Sequence, residues 1–270
     1  MEATGPDNER AGGSGAPDPS ERHPAADYVG CPVTVFEALS QGRHLRPPRW
    51  GLGDVFITLG LTVVIALGAS DLLEAAGASL GVIVIFGGLI GWTSLAGWPI
   101  LITRLRGNGP RIDLGLRLTW HELGWGVVTG VIALVLAAVV TIISTSIFGE
   151  FDSAAGEVAR EILTEDSRLT LIGFGLMLMV GAPIAEELAF RGLLFAGLMK
   201  RGVRPGLTVV ITTLAFALFH FEPVRLGVLI AIGLVLGVAR ARSGSLGVSI
   251  VAHAVNNAPG AIFVMLGFPG

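Results

Sequence analysis

The sequence predicts an all-α, polytopic transmembrane bundle of about seven to eight helices, and three observations carry that prediction. Of its 270 residues, 52% are hydrophobic and only 14% charged, with a mean hydropathy of +0.73, whereas an ordinary soluble domain is about a quarter charged. From Gly51 to Gly270 one long apolar run follows another, while the first 50 residues hold five Arg and seven acids. The loops between the apolar runs are alternately basic and acidic. A net charge of -3, with a single Lys, argues against a nucleic-acid partner. One cysteine, Cys31, excludes a disulfide scaffold and a Cys-rich metal site.

Residues 1–30 are rich in Gly, Pro, Ala and acids and read as a disordered tail, because they cannot bury enough apolar surface to offset chain ordering. They lack the pattern of a secretory signal. Residues 31–50 are expected to form a short interfacial helix ending at Pro47 and Pro48, with Trp50 among headgroups. A span needs about 20 largely apolar residues, and candidates are 52–70, 80–103, 123–148, 168–199, 206–221, 225–240 and 244–267. The fourth contains Gly181 and Pro183 and is expected to fall into two pieces. GxxxG spacings at Gly87/Gly91, Gly126/Gly130 and Gly233/Gly237 allow close helix packing. No internal repeat of the transporter kind is evident.

The loop charges set an orientation. Arg43, Arg46 and Arg49 precede the first span; Arg104, Arg106, Arg111 and Arg117 follow the second; Lys200, Arg201, Arg204, Arg240 and Arg242 mark later loops of the same side. The opposite loops carry Asp71, Glu74, Glu150, Asp152, Glu157, Glu161, Glu165 and Asp166. The positive-inside rule then places the amino terminus in the cytoplasm. The chain divides into residues 1–50, a disordered or interfacial tail; 51–150, the N-terminal transmembrane helices; and 168–268, where ionisable residues lie inside the spans.

Such residues are costly in a bilayer and are functional candidates by default. The fourth span reads GAPIAEELAFRG, with Glu186, Glu187 and Arg191; the fifth ends LAFALFHFEP, with Phe216 and His220; the seventh contains SIVAHAVNNAPG, with His253, Asn256 and Asn257. Glu187 and Arg191, four apart, share a helix face and are expected to pair. Glu186 lies about 100° round and faces elsewhere. Counted from the adjacent basic loops, Glu186, His220, His253 and Asn257 lie about 16–24 Å in at 1.5 Å per residue, so one shared cavity is expected. Polar and aromatic residues elsewhere read as anchors or lipid contacts: Asp54 and Glu222 reach headgroups, His121 and Glu122 anchor at the interface beside Trp120, and Trp92, Trp98 and Trp125 make interface or lipid contacts.

This set suits hydrolysis by activated water, with Glu186 as general base beside an imidazole, and a second His with an Asn amide supporting the oxyanion. A nucleophile for acyl-enzyme chemistry is missing, since Ser249 reads as a packing residue and Cys31 is remote. One Glu and two His, Glu186, His220 and His253, also form a known zinc set, but HExxH is absent; both a metal and a metal-free site remain open. Glu-Glu-x-x-x-Arg, Phe-x-x-x-His and His-x-x-x-Asn on successive spans resemble the CPBP or Abi family, which includes Rce1-type CAAX prenyl endopeptidases and bacteriocin self-immunity proteins. The resemblance runs from about Leu169 to Phe268. It implies an intramembrane endopeptidase with Glu186 acting on water with His220. Glu187, Arg191 and Phe216 then support the site, and His253 and Asn257 the transition state. The implied partners are the lipid bilayer and a peptide or lipidated peptide. The Ala/Gly/Arg-rich composition suggests a bacterial cell membrane. Two other readings stay open: a membrane binding or bacteriocin-immunity protein without turnover, and a proton-coupled transporter.

Overall fold

The computed structural model describes Val35, residues 38–165 and residues 167–268. The expected tail at 1–30, Cys31 and Asp166 lie outside the described residues. No strand occurs among the described residues. The helices are α1 (Leu52–Ala75), α2 (Leu80–Arg106), the short α3 (Pro110–Asp113), α4 (Trp120–Phe148), α5 (Ala154–Glu165), α6 (Arg168–Lys200), α7 (Pro205–Phe219), α8 (Leu226–Ser243) and α9 (Leu246–Leu266). Six of these segments are long and apolar enough to cross a membrane. The chain is a multi-pass membrane protein. At 15 residues, α7 is shorter: about 22 Å at 1.5 Å per residue, against a hydrocarbon core of about 30 Å. It is therefore too short to cross such a core by itself, and His220 follows its last residue.

The helices approach closely where the GxxxG glycines lie. On α2, a Cβ at Gly91 would meet Ala66 of α1, and one at Gly87 would meet Ser70. Gly126 and Gly130 of α4 lie against Val251 and Val255 of α9, and Gly233 and Gly237 of α8 against Thr213 and Val209 of α7. Without a hydrophobic force between helices in lipid, such close backbone contact supplies the packing. Outward-facing residues such as Phe56, Val64 and Ile142 are largely exposed on the lipid side.

Several expectations are corrected. The fourth span is not two pieces. α6 stays helical for 33 residues by widening to π geometry at Met177–Gly181 and Leu188–Leu194. The wider turn accommodates Pro183, whose ring would clash with a carbonyl in a regular α-turn. The acidic connection after α4 is not all loop: α5 is amphipathic, with Ala159 and Ile162 buried against Leu171, Phe174 and Val264 and Glu157 and Glu161 exposed. Of the segment 31–50, Val35 and residues 38–40 are helical as expected, but residues 43–50 form no helix, so the helix ends before Pro47. Trp50 is buried rather than among headgroups, donating its indole N–H to Asp113 Oδ2 at 2.9 Å. Asp113 also accepts from the Asn108 backbone N–H, and burial pushes its carboxyl above the usual carboxylate value despite these donors. Lys200 donates to the carbonyls of Pro48 and Trp50 and lies over the Trp50 ring.

Asp54 caps its own helix, accepting from Gly51 N–H at 2.8 Å. Glu122 likewise accepts from Thr119 N–H and pairs with Arg117. Glu222 pairs with Arg225. Trp92 and Trp98 pack on the core. Asp54 and Glu122 thus each satisfy a helix start, and Trp92 and Trp98 fill the bundle rather than facing lipid.

The α4–α9 contact gives a direct test. A Cβ at Gly130 would sit 2.6 Å from the Ala252 carbonyl oxygen, which is backbone, whereas nothing lies within 4 Å of a Cβ at Gly124 on the same helix. Gly130→Ala is expected to cost about 1–3 kcal/mol through overpacking, lowering the unfolding midpoint in detergent, while Gly124→Ala leaves it unchanged or raises it.

Candidate active site

The polar groups of α6, α7 and α9 meet in the bundle interior. The buried centre is Arg191, fully enclosed on the second π stretch. One terminal nitrogen donates to Glu187 Oε1 at 2.8 Å and the other to the Gly233 carbonyl of α8 at 3.1 Å. Its guanidinium lies 4.4 Å from the centre of the Phe216 ring. The expected Glu187–Arg191 pair is thus present, fully buried, and it also receives His253 from α9: His253 Nδ1 lies 3.1 Å from Glu187 Oε1.

Two hydrogen bonds fix the tautomers of the imidazoles. Glu187, ionised against Arg191, only accepts, so His253 Nδ1 carries the hydrogen in that contact. His220 Nδ1 lies 2.8 Å from the Phe216 carbonyl, another pure acceptor, one of those left over at a helix C-terminus. The tautomer with its hydrogen on Nδ1 leaves Nε2 of each ring without one. Both bare nitrogens face the same atom, Glu186 Oε2, at 3.8 Å from His220 and 3.9 Å from His253. That oxygen is buried and has no protein hydrogen-bond partner. Three lone-pair groups thus converge at distances too long for a direct hydrogen bond and suited to one shared small donor between them.

Aromatic rings hold the histidines in place. Phe216 meets His220 edge-on at 4.6 Å and His253 at 5.7 Å between ring centres, and Phe190 backs Phe216 at 5.7 Å. Glu186 and His220 keep partial exposure, with side chains 16% and 22% accessible, whereas Glu187 and Arg191 have none. The Glu186 side chain thus keeps an exposed edge although its Oε2 is buried, whereas Glu187 is sealed.

Asn257 is engaged elsewhere. Its Nδ2 donates to the Leu178 carbonyl of α6 at 3.1 Å, and its Oδ1 accepts from Asn256 Nδ2. Ser249 bonds the Leu236 carbonyl, as a packing residue does. Glu186, His220 and His253 are the donor types of a zinc centre, but among the described residues no group of three or more His, Cys, Asp or Glu side chains is placed to hold a metal ion.

One residue at the site escaped the sequence reading. Arg240, counted there among loop charges, is 1% exposed; it donates to the carbonyls of Arg191, Gly244 and Leu114. Nothing in its local sequence separates it from exposed Arg242. A cleft of about 660 Å³ between α4 and α8, lined by His121, Trp125, Leu234 and Arg242, holds none of the polar cluster.

Residues 168–259 match the family model described as type II CAAX prenyl endopeptidase, Rce1-like. The matched segment contains all the residues on which the CPBP/Abi resemblance rests, so that recognition stands on both motif and model. No curated protein and no solved structure matches the chain.

The ion pair makes a stability prediction. Arg191→Met leaves Glu187 a buried charge without its cation, a change that costs about 3–5 kcal/mol. Thermal unfolding in detergent should show a smaller loss for the double variant Glu187→Gln/Arg191→Met, which removes both charges together.

Proposed function

We propose that the Rce1-like region, residues 168–268, is the catalytic part of an intramembrane endopeptidase that hydrolyses a peptide bond with water activated by Glu186. The observation carrying this reading is the convergence of His220 Nε2 and His253 Nε2 on the unpartnered Glu186 Oε2. A water there donates one hydrogen to the carboxylate and the other to an imidazole, leaving an oxygen lone pair free for attack. Glu186 takes a proton as the water oxygen adds to the substrate carbonyl. It returns that proton to the nitrogen when the C–N bond breaks, so the proton count balances across the cycle.

His220 orients the water through the nitrogen that its Phe216 bond leaves bare. His253, when it carries a second proton, turns the same Nε2 into a donor to the oxyanion. Glu187 and Arg191 position His253, and Phe216 wedges both rings. The family match supports a prenylated Cys-a-a-X-like or other lipidated peptide as substrate class. In this reading residues 51–150 shield the site from lipid. By the positive-inside rule the basic loops and the amino terminus face the cytoplasm of a bacterial cell membrane.

Purified protein with a library of prenylated peptides tests the proposal. Glu186→Ala and His220→Ala should each lower turnover about a hundredfold or more with unchanged unfolding midpoints. Wild-type cleavage rates in both variants would sink the mechanism, and cleavage by none of the three proteins would favour a binding role.

A further inference from the structure

We infer that Asn257 acts on the site as a surrogate for the backbone N–H that Pro183 lacks, holding open the wide turn of α6 that aims Glu186 and Glu187. In the first π stretch the Ala182 N–H donates to the Met177 carbonyl, five residues back. Continued by one residue, that register assigns the Leu178 carbonyl to residue 183. Residue 183 is proline and has no N–H to give. The Leu178 carbonyl is the one that Asn257 Nδ2 reaches, at 3.1 Å from across the α6–α9 interface. The amide is held the right way round, because its oxygen accepts from Asn256 Nδ2. A backbone carbonyl buried in lipid without a donor is costly, so the proline and the asparagine are two halves of one device.

The device bears on chemistry through geometry. A π turn inserts about one residue into an α-helix, rotating everything beyond it by about 100° relative to an unbroken helix. Glu186 and Glu187 lie three and four residues beyond Pro183, so their facing depends on the turn staying wide. A side chain of another helix also reaches the second π stretch: Arg240 Nε of α8 donates to the Arg191 carbonyl at 3.0 Å. Asn257 is thus a positioning residue for Glu186, not a group that touches the substrate.

Wild type, Asn257→Ala, Pro183→Ala and the double variant form a cycle read in two ways: the unfolding midpoint in detergent, and cleavage of a prenylated peptide. Only the second readout rests on the protease reading. Asn257→Ala should lower the midpoint and cut turnover about tenfold. Adding Pro183→Ala supplies an N–H to the same carbonyl and should recover most of both losses. Additive midpoints, or a double variant that regains its midpoint but not its turnover, overturn the inference; the latter is the signature of Asn257 donating directly to substrate. If Asn257→Ala alone fails to accumulate, recovery of folded protein in the double variant supports the inference and equal failure overturns it. If wild type cleaves nothing, the function reading fails while the midpoint cycle still decides this one.

Discussion

Arg191 carries a full charge with no access to water, and the rest of the site is arranged around that fact. A buried guanidinium is costly unless its charge is balanced. Glu187 supplies the balance from one turn away, the Gly233 carbonyl accepts a second donor, and the Phe216 ring covers its face. Each partner belongs to a constrained position: a helix pair at four-residue spacing, a glycine where two helices touch, and an aromatic on a third helix. Satisfying one cation therefore brings α6, α7 and α8 into register. Through Glu187 the same network reaches His253 on α9.

The neighbouring carboxylates meet different surroundings because they leave the helix at different angles. Glu187 is sealed, its Oε1 shared by Arg191 and His253; Glu186 keeps partial exposure and its Oε2 faces the two imidazole Nε2 atoms. The difference arises from helix geometry, since adjacent residues diverge by about 100°. The histidines are prepared by what they donate to: a carboxylate for His253 and a helix-end carbonyl for His220. Two groups with ordinary chemistry thus become a convergent pair of acceptors through the placement of their other nitrogens.

On the basic side a second polar layer ties the chain ends of the spans together. Lys200, Trp50 and Asp113 link the segment before α1 to the end of α6 and to α3, while Arg240 fastens α8 to the α6 backbone and to Leu114. By sequence Lys200 and Arg240 are loop charges and Trp50 a headgroup residue, while Asp113 carries no signal at all. Their burial follows from loop-to-loop contacts that no local window of sequence contains.

The seven apolar segments lie within a few residues of where hydropathy placed them, because lipid forces every spanning backbone into helix and so makes length and apolarity sufficient to locate it. Spacing alone paired Glu187 with Arg191 and turned Glu186 away, since both follow from 3.6 residues per turn. Amphipathic α5 was legible too, in Val158 and Ile162 set against Glu157 and Glu161, but its acids masked the pattern. Other features had no local signal. That α6 runs on through Pro183 by widening depends on its packing among other helices; that Asn257 Nδ2 meets the Leu178 carbonyl depends on which residue faces it. The sequence by itself determined which residues lie in the membrane and which could share a helix face. Only the tertiary structure decided which polar atoms are left with free lone pairs, because every donor and acceptor that settles the matter comes from a different helix.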